Sequence, residues 1–94
     1  MSLIVYGPQG CGKTTHAEKL RKHFGLDSVF DADDLQCRGD IYRYMSDPAK
    51  GARIKSMNAL ILTNREPPPG YESRRVVSFD RALHCYRNNL PLEA

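Results

Sequence analysis

Tryptophan is absent from this 94-residue chain, cysteine occurs only three times, and long apolar runs are missing. A membrane-spanning helix needs about 20 apolar residues, so the sequence predicts no membrane segment. An odd number of cysteines without a CxxC pair argues against a disulfide framework or a zinc site, and favours a reducing, cytoplasmic environment. The formal charge of +3 suits anionic ligands, but strong nucleic-acid binders usually have a heavier concentration of basic residues.

The length predicts a single small domain over residues 1–94. The apolar run Leu3–Tyr6 has no basic segment before it and leads straight into a glycine-rich turn, so it indicates a strand rather than a signal peptide. Further strands are predicted at 29–30, 59–63 and 75–79. Helices are predicted at 14–24 and 49–57. A short helix between them would begin at a capping Asp40 and end at Asp47-Pro48, and a last helix would follow a capping Asp80. This alternation favours a three-layer α/β/α fold with a small, mostly parallel sheet of four or five strands.

The glycine-rich turn matches the phosphate-loop pattern GxxxxGK(S/T), and it lies between an apolar strand and an amphipathic helix, the context that supports such a match. Its glycines permit backbone angles and close approaches that a side chain would block. Successive N–H groups at a helix N-terminus then cradle phosphate, the lysine reaches the β- and γ-phosphates, and the following threonine ligates Mg²⁺. The predicted nucleotide-binding residues are Gly7, Pro8, Gln9, Gly10, Cys11, Gly12, Lys13, Thr14 and Thr15.

The predicted ligands are therefore a nucleoside triphosphate and Mg²⁺. No guanine-reading motif is recognisable, so ATP is the default over GTP. Three carboxylates follow the second predicted strand, at Asp31, Asp33 and Asp34. A phosphate-loop site needs such a carboxylate to hold magnesium and polarise the attacking water. Metal ligation is assigned to Thr14 with Asp31 or Asp33, and a catalytic role to Asp33 and Asp34; which Asp does which task stays open.

Two further features complete the predicted site. Asn64 follows the apolar strand at 59–63, where a polar side chain would reach the γ-phosphate or orient water. Arg74 and Arg75 precede the last predicted strand, and the fixed fork of a guanidinium matches phosphate oxygens. Together with Lys13, these residues form the predicted catalytic set, and either arginine would also suit a neighbouring subunit's nucleotide.

The segments 60–68 and 74–79 resemble the late motifs of superfamily-three helicases and related AAA+ ATPases, including Rep proteins of small DNA viruses and phage-type ATPases. The start, Tyr6 to Thr14, is similar to the Walker A motif of that family. The resemblance implies that residues 29–35 are Walker B, that Asn64 is the sensor-1 residue and that Arg74 or Arg75 is the arginine finger. It further implies a Mg-dependent ATPase of phage type, which would act on nucleic acid in the host cytoplasm, in a homo-oligomer or with a larger ATPase partner.

The chain departs from that family in several respects. Only 17 residues separate Lys13 from Asp31, so a strand between the two Walker motifs is missing, and no glutamate follows the metal-binding Asp. Asp31-x-Asp33 also resembles the acceptor- and metal-binding pair of shikimate and gluconate kinases, which leaves a small-molecule or nucleotide kinase as the alternative. The sequence favours the ATPase because it contains no arginine-rich lid to exclude water from an acceptor site.

Overall fold

The computed structural model describes residues 2–8, 12–32, 41–71 and 75–91. Strands and helices follow each other in an order close to the predicted one. The elements are β1 (Leu3–Tyr6), α1 (Lys13–His23), β2 (Ser28–Asp31), α2 (Ile41–Ser46), α3 (Pro48–Ser56), β3 (Ala59–Thr63), β4 (Val76–Ser78) and α4 (Phe79–Arg87).

The four strands form one parallel sheet in the order β2-β3-β1-β4. β3 is buried along its whole length, and β1 along all but its last residue. Apolar runs of this kind suit strands that are covered on both faces. The predicted α/β class and the small parallel sheet of four strands are therefore confirmed. Because all strands run the same way, their carboxyl ends share one edge of the sheet, which we call the carboxyl edge.

Helices cover both faces of the sheet and create two cores. Alternate residues of β1 point to opposite sides: Leu3 and Val5 pack with Leu20 of α1 and Ala82 of α4, whereas Ile4 belongs to the second core. The second core contains Ile41 and Tyr42 of α2 and Ile54 of α3. Helices on each face of a parallel sheet are the arrangement expected of three layers. Among the described residues, no helix has the length and apolar character needed to cross a membrane.

The starts of α3 and α4 show which capping residues the sequence analysis identified and which it missed. Asp47, predicted with Pro48 as a helix breaker, also caps α3, because its carboxylate accepts the amide hydrogens of Ala49 and Lys50. The predicted cap of the last helix, Asp80, is wrong. The hydroxyl of Ser78 accepts from the amide of Arg81 at 3.1 Å instead, and Asp80 lies inside the first turn.

Candidate functional site

The glycine-rich loop (residues 7–14) joins the end of β1 to the start of α1, as predicted. Its first amide, that of Gly7, donates to the carbonyl oxygen of Thr63 at the end of β3, at 3.2 Å. Gly12 stands at the N-cap of α1 with φ 99° and ψ 13°. A Cβ at this position would meet its nearest neighbour, the ring of His16, at an ordinary 3.5 Å, so the left-handed backbone, rather than a lack of space, calls for glycine.

Lys13 is the first residue of α1, and only 7% of its surface is exposed. Its Nζ donates to the carbonyl oxygens of Gly7 at 2.7 Å and Pro8 at 2.9 Å. The ammonium group is therefore directed back across the start of the loop instead of into solvent. An ammonium this deeply buried needs such partners, because charge is costly to remove from water.

Several predicted site residues lie outside the described part of the chain. These are Gln9, Gly10, Cys11, Asp33, Asp34 and Arg74. The backbone of Thr14 lies in α1, but its side chain is not among the described parts of the structure. Thr15 is exposed in the first turn of the same helix. The ligand roles assigned to these residues remain predictions.

Asp31 is the exposed last residue of β2, so the strand runs one residue beyond the predicted end at Phe30. It pairs with Leu62, which in turn pairs with Val5. Strands lie about 4.8 Å apart, which places the Asp31 backbone roughly 10 Å from β1. Asp31 shares a face with Val29, which packs against the α1 core.

Asn64 follows β3 directly, as predicted, and is exposed in a bend. The polar side chain held at this strand end is instead that of Thr63, which is 5% exposed. Its Oγ1 accepts the amide hydrogen of Arg65 at 3.2 Å. Thr63 is not among the predicted site residues, although a hydroxyl at the end of an otherwise apolar strand is a signal for such a role.

Arg75 lies at the opposite edge of the sheet from the glycine-rich loop. It immediately precedes β4, whose first residue, Val76, pairs with Ile4. Its Nε donates to the carbonyl oxygen of Ser2 at 3.1 Å, and its own carbonyl accepts from the amide of Ile4 at 2.8 Å. Three residues of β1 separate the level of Ile4 from that of Gly7, about 10 Å at the usual rise per residue. The predicted contact with phosphate would therefore have to be made to a nucleotide on another copy.

A pocket of about 430 Å³ opens on the α2 side of β3, and no local sequence pattern indicates it. Arg43 of α2 faces Arg65, Glu66 and Tyr71 of the segment that follows β3. Its volume falls in the range typical of small-ligand sites, about 300–1,000 Å³. Because Arg65 and Glu66 are the second and third residues after the end of β3, the pocket lies beside the carboxyl edge, as the glycine-rich loop does.

Tyrosines fix the shape of this pocket. The hydroxyl of Tyr42 donates to the carbonyl oxygen of Arg65 at 2.7 Å, and the Tyr42 and Tyr71 rings meet edge to face with centroids 5.2 Å apart. The amide of Tyr71 donates to the carbonyl of Pro68 at 3.0 Å, which closes a turn around Gly70. Burial raises the pKa of Tyr71 above its usual value, so this ring stays neutral at physiological pH.

Magnesium is bound by few protein groups in such sites, usually one or two carboxylates together with the phosphates of its substrate. Within the described ranges, no group of three or more His, Cys, Asp or Glu residues could hold a metal ion by itself. Asp31, the exposed last residue of β2, is a carboxylate at the carboxyl edge that could serve as one such ligand. In comparisons with known proteins, no family model, no curated protein and no solved structure matches this chain.

Proposed function

We propose that the chain binds ATP with Mg²⁺ at the glycine-rich loop and hydrolyses it as a minimal phosphate-loop ATPase. The observation that carries the proposal is the position of Lys13. Its ammonium is buried at the start of the loop, held by the Gly7 and Pro8 carbonyls. A lysine without a ligand role more often extends its charge into water.

The local backbone supports the same proposal. Gly12 takes the left-handed conformation that turns the chain into α1, an 11-residue helix whose first turn contains no acidic residue to compete with an anion. The partial positive charge at the start of a helix favours phosphate. A phosphate over this helix start would draw the Lys13 ammonium from two backbone carbonyls to its own charged oxygens, which form stronger hydrogen bonds.

The residues of this chain would divide the work as follows. Lys13 would stabilise the charge that develops on the γ-phosphate, and Asp31 would hold the magnesium ion. The magnesium ion, bound with the nucleotide, supplies further charge stabilisation. Asn64, beside the same sheet edge, is proposed to position the attacking water. Arg75 would act only on the nucleotide of a neighbouring copy.

Lys13→Ala tests the site, and Lys19→Ala is its matched control because Lys19 is exposed on the same helix. Loss of charge-assisted hydrogen bonds typically costs about 1.5–3 kcal/mol, so we expect ATP–Mg²⁺ affinity in calorimetry to fall roughly 10- to 100-fold in Lys13→Ala and to remain unchanged in Lys19→Ala. Thermal unfolding of both variants shows whether the fold is kept. Wild-type affinity in a folded Lys13→Ala would place the nucleotide elsewhere.

Turnover is tested separately from binding, by phosphate release over a range of protein concentrations. If Arg75 acts between copies, release per molecule rises with concentration in the wild type and does not rise in Arg75→Ala. Release that appears only when a hydroxyl compound is added would instead favour the kinase, with Asp31 and Asp33 at the acceptor. ATP binding without phosphate release under all these conditions would contradict the proposed hydrolysis.

A further inference from the structure

The pocket between α2 and the segment after β3 is not used by the proposed ATPase mechanism. Its lining combines three kinds of chemistry at fixed positions. Arg43 and Arg65 supply guanidinium groups, Glu66 a carboxylate, and Tyr71 and Pro68 an aromatic ring and an apolar ring. A ligand that satisfies all of them has an anionic group, a hydrogen-bond donor and a flat apolar surface.

We propose that this pocket binds one nucleotide unit, a base with its sugar phosphate. The phosphate would pair with Arg43 and Arg65, whose forked donors match its oxygens. A sugar hydroxyl or a base amino group would donate to Glu66. The base would pack on Tyr71, since every base has a face that stacks on an aromatic ring.

Two hydrogen bonds to backbone atoms hold the wall of the pocket. Tyr42 uses its hydroxyl to hold the Arg65 backbone, and the turn that ends at Tyr71 is closed by a backbone hydrogen bond to Pro68. Tyr42 is 2% exposed and anchors the wall in the second core. A site built in this way does not have to be ordered by its ligand, which lowers the entropic cost of binding.

The positive charge of helices α2 and α3 favours a nucleotide over a neutral ring compound. Residues 41–56, which form α2 and α3, contain four basic residues and one acidic residue, Asp47. That acid is engaged as the cap of α3, while Lys50, Arg53 and Lys55 are exposed on the same helix. Arginines beside an aromatic ring, as in the lining of the pocket, are the combination that single-stranded nucleic-acid sites use. A free mononucleotide presents the same phosphate and base.

The test uses the full chain, a fluorescein-labelled oligothymidylate and free thymidine monophosphate, both without ATP. Fluorescence anisotropy measures the oligonucleotide. Tyrosine emission, which no tryptophan obscures because the chain has none, measures the mononucleotide. Oligonucleotide binding that thymidine monophosphate does not displace identifies a single strand as the source, and displacement at comparable concentration identifies the free nucleotide. Either result supports the proposal, and binding of neither probe overturns it.

The residues are tested with variants at Arg65 and Tyr71. Removal of a stacking ring typically costs about 1–3 kcal/mol, so we expect Tyr71→Ala to weaken binding about 5- to 150-fold and Tyr71→Phe to retain most of the affinity. Arg65→Ala should reduce the slope of log affinity against log salt by about 0.7 for a single strand. Arg87→Ala, an exposed arginine at the end of α4, should leave both quantities unchanged.

The two proposals can fail independently. Binding of the thymidine probes should persist in Lys13→Ala, and ATP–Mg²⁺ binding should persist in Arg65→Ala. Equal affinity for the probes in the wild type, Arg65→Ala and Tyr71→Ala would show that they bind outside the pocket. Loss of probe binding in Lys13→Ala alone would assign them to the glycine-rich loop and overturn the pocket proposal.

Discussion

Tyr42→Phe removes a single oxygen atom from the contact that joins α2 to the segment after β3. The hydroxyl lies 2.7 Å from the Arg65 carbonyl oxygen, and the ring is buried in the second core. A hydrogen bond of this kind contributes about 0.5–1.5 kcal/mol net. Arg65 is exposed, so water can reach its vicinity, and we expect a loss near the middle of that range, about 1 kcal/mol.

For a domain of this size, 1 kcal/mol corresponds to a decrease in the unfolding temperature of roughly 4–8 °C. Far-UV circular dichroism on heating measures it, and urea unfolding should show a lower midpoint with an unchanged slope. Tyr44→Phe is the matched control. Tyr44 is a half-buried neighbour on α2, and its described contacts are ring contacts that phenylalanine retains. A decrease below about 1 °C for Tyr42→Phe, or an equal one for Tyr44→Phe, would refute the importance given to this hydroxyl.

Two further substitutions test the helix contacts. Gly51→Ala should destabilise the fold by about 1–3 kcal/mol, the usual cost of overpacking, because a Cβ at position 51 would lie 2.5 Å from the carbonyl oxygen of Met45. An unchanged midpoint of urea unfolding would contradict the close approach of α2 and α3. Ser78→Ala should cost about 0.5–2 kcal/mol as the loss of an N-cap, whereas Asp80→Ala should cost less in the same thermal unfolding assay, and the reverse order would restore Asp80 as the cap.

Strands and the loop between β1 and α1 were predictable because their signals are local. Leu3–Tyr6 and Ala59–Thr63 are short, mainly apolar runs of the kind expected of strands buried on both faces. The glycine at position 12 was predicted from its motif, and its left-handed backbone shows the physical reason. Asp80 was mistaken for a cap because the sequence does not show where a strand passes into a helix. The strand ends at Ser78, two residues earlier, so the serine hydroxyl reaches the free amides first.

The pocket was not predictable, because its walls meet only in three dimensions. Tyr42 and Tyr71 are 29 positions apart in the sequence, and nothing in the spacing of either indicates that their rings touch. The location of Arg75 relative to the glycine-rich loop could not be predicted from the sequence either. Its position before a strand is visible in the sequence, but its distance from the glycine-rich loop depends on the parallel direction of β4 and on its pairing with β1.

Thr63 contacts both the glycine-rich loop and the segment that lines the pocket. Its carbonyl oxygen accepts the first amide of the glycine-rich loop, and its hydroxyl accepts the amide of Arg65 at the rim of the pocket. A ligand that displaced Thr63 from either side would change affinity on the other side, and thermodynamic linkage makes the two changes equal in magnitude. A Thr63→Val variant would therefore report on the connection between the two regions, measured as the affinity for one probe with and without the other.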